Sequence, residues 1–573
     1  MSFAPTPEQA AIVAAAQTGQ NLVIQAGAGT GKTSTLRLIA ETLSDKRCLY
    51  IAFNKAIANE AAGSMGSNVK ASTAHSLAFQ SVGKHYAGRL NAKRMWPREV
   101  ARLLGARPIT IKTASDEVRM FSDRNVARMA MEMVAQFCRT ADGQITGFHF
   151  PLTEGIDGAT VSGRPIRGDN HAILAKHVLP YAQTMWADLQ REQGQFPFSH
   201  DHYLKMYQLS NPVVSADVLF LDEAQDANPV IAAIVEAQSH LQIILVGDSA
   251  QAIYGFTGAV DAMAKFEARG TTSMVLSQSF RFGPAVANVA NVFLDALDAP
   301  LRISGFEPRN SVLATLDTEH GDKADAVLCR TNAGCLSELI AAQAQGRKAA
   351  IVGGVKETLS FIEAAQRLMV GQATEHAVLC AFLSWADVEK FVAEEETTGD
   401  LATMVKMIQK HGAPRLQQVL GNAADERNAD VVISTAHKSK GREWNAVRIA
   451  DFDLDSDKIA DADLMLAYVA VTRAMKTLDV GTLSTYIEGR PGAFVVPVEE
   501  TVEEAVEIEV VAPVVEPVVV GTGSTRTVYV AVDANGKASG PEFTFEDAAR
   551  TFASEKGLAV GSVEITRSAV TIL

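Results

Sequence analysis

Asn21-Leu22-Val23-Ile24-Gln25-Ala26-Gly27-Ala28-Gly29-Thr30-Gly31-Lys32-Thr33 runs from a short apolar stretch straight into a glycine-rich turn. An amphipathic segment opens behind it. A strand that ends in such a turn and passes into a helix is the setting in which backbone N–H groups converge on a phosphate at a helix N-terminus. The pattern departs from G-x-x-x-x-G-K-[ST] at its first position, where Ala26 stands. The loop from Ala26 through Gly27, Ala28, Gly29, Thr30 and Gly31, with Lys32, Thr33 and Ser34 behind it, is the candidate nucleotide cradle. Lys32 can reach the β and γ phosphates of ATP, and the Thr33 hydroxyl can hold Mg²⁺. The competing reading is a glycine-rich turn with an incidental lysine, which the strand-loop-helix context disfavours.

Such a site needs acidic groups at the end of a second buried strand, and Val218-Leu219-Phe220-Leu221-Asp222-Glu223-Ala224-Gln225-Asp226 supplies them. Asp222 suits the Mg²⁺ shell, and Glu223 suits orienting and deprotonating an attacking water. Alone, Asp-Glu after a strand is a weak signal, because acidic residues often cap the next helix. Coupled to the loop at 26–33 it is specific.

Outward from these two stretches, apolar runs recur at Asn21–Gln25, Arg47–Ala52, Asp217–Leu221, Gln242–Val246 and Thr272–Leu276. A second series stands at Asp325–Cys329, Lys348–Val352, Asp430–Ser434, Ala446–Ala450 and Thr477–Gly481. Amphipathic segments separate them, the pattern of parallel sheets wrapped by helices. The fold class is therefore α/β, with two P-loop-type units, helical insertions and a small C-terminal α+β unit. The expected organisation is a first ATP-binding domain from 1–79 and 216–278, a helical insertion at 80–215, a second α/β domain from 279–371 and 428–490, and a short helical insertion at 372–427. Residues 491–524, rich in Val, Glu and Pro, read as a self-repelling linker. In the last 49 residues, 525–573, strands are expected at Thr527–Val532 and Ser562–Ile572 and a helix at Thr544–Glu555.

A chain of 573 residues with 47% hydrophobic and 21% charged residues has the balance of a folded soluble protein. No apolar stretch spans a bilayer and Met1–Gln9 lacks a signal-peptide pattern, so a cytoplasmic protein without membrane association is expected. The five cysteines show no CxxC pair, which disfavours zinc and disulfide frameworks. The net charge of -14 argues against a nucleic-acid partner, but Lys84 to Arg139 holds twelve Lys or Arg against five Asp or Glu. That local excess suits a DNA track and a solvated helical face equally well.

Asp222-Glu223-Ala224-Gln225-Asp226 resembles the second motif of superfamily 1 helicases of the UvrD/Rep type, and further motifs stand in order over residues 3 to 485. Thr6-Pro7-Glu8-Gln9 resembles the Q-motif, implying that Gln9 reads adenine. Leu245 to Tyr254 resembles motif III, with Gln251 sensing the γ-phosphate. Leu276 to Arg281 resembles motif IV, implying Phe280 on the base and Arg281 on the γ-phosphate. Ser434 to Glu443 resembles motif V, with Glu443 toward the ribose and His437 and Lys438 toward DNA phosphates. Tyr468 to Ala474 resembles motif VI and makes Arg473 a second arginine finger. Likeness also implies DNA contacts at Phe53, Asn54, Lys55, Thr73, His75 and Phe256.

The resemblance implies two RecA-like domains, ATP with Mg²⁺ in the cleft between them, and single-stranded and duplex DNA as partners. Its implied activity is ATP-dependent 3′ to 5′ translocation and unwinding. A translocase that strips proteins from single-stranded DNA and a nucleotide-gated DNA-binding adaptor are the alternatives. Two departures bear on this: Thr257 stands where relatives often carry Arg, and the insertion at 372–427 is short. Beyond Pro497 no likeness extends, and the tail is a candidate docking point for a protein partner.

Overall fold

The structure, a computed structural model, describes residues 4–90, 95–112, 118–153, 156–157, 167–253, 261–317, 322–376, 378–380, 382–394, 400–454, 459–488 and 490, with the backbone of three strands beyond 524. It comprises two units, residues 1–494 and 495–573.

In the first unit, β1 (Leu22–Ala26), β2 (Cys48–Ala52) and β3 (Val69–Thr73) are followed by an insertion carrying an antiparallel hairpin of β4 (Ile109–Lys112) and β5 (Val118–Phe121). The chain then returns through β6 (Val218–Leu221), β7 (Gln242–Gly247) and β8 (Thr272–Leu276). These strands form a parallel six-stranded sheet in the order β3-β2-β6-β7-β1-β8. β1, β2 and β6 are buried along their whole length. Strands covered by helices on both faces read as continuous apolar runs, which is why they stand out in the sequence.

The order matters for the site. With β6, β7 and β1 adjacent, the three turns leaving their carboxyl ends are side by side, the place where open α/β sheets bind ligands.

The second sheet repeats the plan with β9 (Val312–Leu313), β10 (Ala326–Cys329), β11 (Ala349–Ile351), β12 (Val431–Thr435), β13 (Trp444–Ala450) and β14 (Ala474–Asp479), in the order β11-β12-β10-β13-β14-β9 and wholly parallel. The two lobes share a hydrophobic cluster in which Ala28, Ala250 and Ile253 of the first lobe pack with Phe282, Tyr468 and Val471. The short insertion forms helices Trp385–Glu394, Asp400–His411 and Ala413–Gly421, and its Leu401, Val405 and Leu416 join the core of the second lobe.

Four strands in this unit were not expected. β3 is an edge strand in which Val69 and Ala71 are half-buried and Lys70 is exposed, and Val-Lys-Ala-Ser-Thr carries little apolar signal. β9 has two residues. The hairpin β4/β5 lies in an insertion expected to be helix and loop, where its alternation is lost between long helices such as Asp123–Phe137 and Asp169–Leu189. The expected strand at Thr477–Gly481 begins earlier, at Ala474, because pairing with β13 rather than apolar content sets its start.

In the second unit, β15 (Thr525–Val532), β16 (Ala538–Phe543) and β17 (Ala559–Thr566) make an antiparallel sheet in the order β16-β15-β17. β17 starts before the expected Ser562, and β16 was not expected. The expected linker and the helix at 544–555 lie outside the described residues.

Four cysteines are buried, Cys380 is partly so, and all are free thiols. Among the described residues no helix is long and apolar enough to cross a membrane.

Candidate functional site

Gly27 continues from β1, its N–H on the carbonyl of Leu276 at 3.2 Å. Gly29 and Gly31 then take left-handed conformations, with φ of +72° and +82°. Only glycine adopts these cheaply, and they turn the chain into the helix Lys32–Thr42. Phe280 donates its N–H to the carbonyl of Gly29 at 2.8 Å, and the Ser279 hydroxyl donates to that of Ala28 at 2.8 Å. The segment after β8 therefore lies directly on the loop. A β-carbon at Gly31 would be 3.5 Å from Gln9 Nε2 and 3.9 Å from the Phe280 ring, so these two side chains flank the same point. Gln9 is held there by a capping box with Thr6 and by donating to Thr35 Oγ1 at 3.1 Å.

At the end of β6, Tyr50 donates its hydroxyl proton to Asp222 Oδ2 at 2.5 Å. Glu223 adopts a left-handed φ of 51°, a strained choice for a side chain with a β-carbon and one that recurs at functional sites. Its Oε1 meets Lys32 Nζ at 3.2 Å, and its Oε2 accepts from Gln225 Nε2 at 2.6 Å. Gln225 in turn accepts the Asp248 N–H at 3.1 Å, tying the turns after β6 and β7 together.

Burial, then the adjacent Glu223 carboxylate, push Asp222 above the usual carboxylate range. Burial acts on Glu223 in the same direction, but Lys32 and Lys440 outweigh it and hold its carboxyl low. Lys32 has the converse balance: burial disfavours its charge, and Glu223, Asp248 and Asp222 more than restore it. The outcome is a cation and two carboxylates held in one buried cluster. The Thr33 hydroxyl and Asp222 are hard oxygen donors of the kind that take Mg²⁺ through one or two protein ligands, with phosphate completing the shell.

The second lobe closes the cluster with cations. Arg473 is 2% exposed, donates from Nε to the carbonyl of Val469 at 2.8 Å, and places Nη2 3.4 Å from Gln251 Oε1. Burial, then neighbouring Arg281, push its guanidinium down to about 9. Burial is the larger cause and the like charge of Arg281 adds to it, while Tyr468, Glu223 and Asp248 pull the other way. Arg281 follows the loop-contacting Phe280, pairs with Glu443 at 2.8 Å, and donates from Nη1 to the carbonyl of Thr472 at 3.2 Å. Glu443, expected toward a ribose, here serves as counter-ion to Arg281. Lys440 crosses the cleft to form an ion pair with Asp226 and donates to the Gln251 carbonyl at 2.5 Å.

The DNA candidates stand at the carboxyl ends of β2, β3 and β12. Phe53 is 57% exposed and Lys55 is exposed, whereas the Asn54 side chain caps helix Lys55–Ser64 by accepting from Ile57 N–H. Thr73 is buried and caps helix Ala74–Ser81, and His75 Nε2 lies 3.2 Å from Asp201. Thr73 and Asn54 thus carry local structural duties. His437 and Lys438 sit on the single turn Ala436–Ser439, with Lys438 Nζ 3.4 Å from Glu357. Phe256, like Thr257, lies outside the described residues. Part of the basic excess is used internally: Arg119 pairs with Asp387 and Arg124 with Glu375, joining the two insertions.

Lys32, Thr33, Asp222, Glu223, Gln251, Arg281 and Arg473 are brought to one cleft, with Gln9 and Phe280 beside the loop. Tyr50, Gln225, Asp226 and Lys440 also belong to it and were given no role from sequence. For Lys440 a signal existed, a lysine two residues beyond the His-Lys pair. For Tyr50 there was none, since it reads as one more apolar strand residue.

Residues 9–257 match a family model described as an AAA domain, and residues 430–480 match the UvrD-like helicase C-terminal domain. The chain is 32% identical over 504 residues to F-box DNA helicase 1 of Gallus gallus, covering 80% of this chain and 47% of that protein. It is 27% identical over 501 residues to F-box DNA helicase protein 1 of Schizosaccharomyces pombe, covering 80% and 55% respectively. The chain thus spans about half the length of these curated relatives.

Proposed function

This chain belongs to the UvrD/Rep-type superfamily 1 helicases, and from that premise we propose that it is a DNA-stimulated ATPase that translocates on single-stranded DNA and unwinds duplex. The observation that carries the proposal is the meeting of Arg473 and Gln251 across the cleft, beside the Lys32–Glu223 pair. Each lobe holds half of the charge that hydrolysis requires.

In this reading Lys32 and the amides of the loop bind the phosphates of ATP. Glu223, ionised by its cations, takes a proton from the water that attacks the γ-phosphorus, and the P–O bond to the β-phosphate breaks. Arg281 and Arg473 neutralise charge on the oxygens of the transferring group. Mg²⁺, held by Thr33 and Asp222, would neutralise phosphate charge. Because both arginines come from the second lobe, the site is complete only with the lobes together, and turnover must move them. Phe53, Lys55 and His75 on one lobe and His437 and Lys438 on the other would then grip DNA in alternation. Family likeness supports 3′ to 5′ stepping.

Glu223→Gln tests the assignment. ATP should still bind, while single-strand-stimulated hydrolysis falls by roughly a hundredfold or more; undiminished turnover would remove Glu223 from the role. Duplexes with 3′ and 5′ tails then read polarity. A second reading, translocation that displaces proteins without strand separation, is favoured by the short insertion of three helices at 385–421. Translocation without strand displacement would select it.

A further inference from the structure

Tyr468 touches both turns of the first lobe and has no part in the roles assigned above. Its ring is fully buried on helix Asp461–Val471, the element that ends at Thr472 and delivers Arg473. The hydroxyl donates to Asp248 Oδ2 at 2.8 Å and accepts the N–H of Ala28 at 3.4 Å. A phenol offers one proton and accepts through its lone pairs. Since an amide N–H only donates and an ionised carboxylate only accepts, one orientation of the hydroxyl serves both partners.

Those partners are not incidental. Ala28 lies in the glycine-rich loop. Asp248 also receives Gln251 Nε2 at 2.5 Å, and Gln251 Oε1 is the group that meets Arg473. A closed circuit results: Arg473, Gln251, Asp248, Tyr468 and back along the helix to Arg473. The Thr472 hydroxyl completes its inner side, donating to the carbonyl of Tyr468 at 2.9 Å and accepting from Arg473 Nη2 at 2.9 Å.

We propose that Tyr468 is a positioning residue whose hydroxyl fixes the helix of the second lobe against Ala28 and Asp248, and so sets where the Arg473 guanidinium stands in the closed cleft. The inference rests on the reading of the chain as an ATPase and extends it to a residue that touches no reacting atom. A role in packing alone would need the ring and not the oxygen, which separates the two explanations.

Tyr468→Phe keeps the ring and removes both hydrogen bonds. With single-stranded DNA saturating, kcat should fall roughly tenfold to a hundredfold, the range for a hydrogen bond to a charged group. Nucleotide affinity, measured directly, should stay within about threefold, since the loss appears only when the arginine acts. In the Tyr468→Phe/Arg473→Ala double variant the tyrosine change should add little, because both act through one group. Unchanged kcat in a folded Tyr468→Phe protein overturns the proposal, as does full additivity with Arg473→Ala. Should Tyr468→Phe fail to fold, Asp248→Asn removes the charged acceptor; because Asp248 also faces Lys32 its affinity is free to move, but at saturating ATP its kcat must fall and that loss must not add to the loss in Arg473→Ala. A wild-type protein without ATPase activity would instead remove the underlying reading, a result distinct from normal turnover in the variant.

Discussion

At Gly29 two constraints meet on one α-carbon. Its φ of +72° disfavours any β-carbon, and a β-carbon placed there would lie 2.5 Å from Arg281 Cβ. Gly29→Ala must therefore strain the loop and push Arg281 away, and nucleotide affinity should drop by roughly tenfold or more in a direct titration. Affinity equal to wild type would mean that the loop is not the nucleotide cradle. His437 and Lys438 separate in another way. Burial, then Arg330, hold the His437 imidazole down to about 4, so it is neutral at pH 7 and in the proposed DNA contact would bring a hydrogen bond without charge. Lys438→Ala should lower the slope of log affinity for single-stranded DNA against log salt by about one, while His437→Ala leaves that slope unchanged. Equal slopes for the two variants would contradict the assignment. At this scale the sequence made visible the residues that break a pattern: glycines that interrupt a helix, carboxylates that end an apolar run, arginines in a repeated context. Tyr50 and Tyr468 fit the apolar rhythm of their elements, and their hydroxyl partners lie 172 and 220 positions away, so only folding reveals them.

Legibility of elements followed burial. Strands covered on both faces, such as β1, β2 and β6, appeared as apolar runs, whereas β3 and β9 lie at sheet edges and owe their form to pairing with a neighbour. The hairpin β4/β5 buries alternate residues, Ile111 and Phe121 among them, but is too short for its period to stand out. Helix His200–Leu209 carries a prediction at this scale. His202 accepts the Ser199 N–H at 3.0 Å, and burial holds its imidazole down to about 4 despite Asp201. A histidine that binds its proton more weakly in the folded state stabilises the fold fully above about pH 6.5, and that stability is lost as pH falls toward 4. Protonation also removes the acceptor that caps the helix. The unfolding free energy should decline by about 1–2 kcal/mol over this window, less than the full shift implies because the side chain is only partly buried. His202→Gln, which keeps an acceptor without titrating, should flatten that part of the urea-unfolding profile; an identical profile would show that His202 does not contribute.

Across the whole first unit, two similar sheets have been given unequal work. The first supplies the loop, the carboxylates and Gln251, and the second supplies Arg473 and Lys440 across the boundary. The order of the motifs made this division legible in the sequence, but not the bonds that bridge it. Lys440 to Asp226 and Tyr468 to Asp248 depend on how the two sheets meet, and no local pattern encodes that. In the proposed function, coupling of hydrolysis to lobe closure is a property of this interface. The most direct test is ATP hydrolysis by Arg473→Ala under saturating single-stranded DNA, with nucleotide affinity measured in parallel. A fall in kcat of roughly a thousandfold or more, the size seen for arginine fingers, is expected, with affinity changed only a few-fold. Turnover at the wild-type rate would contradict it.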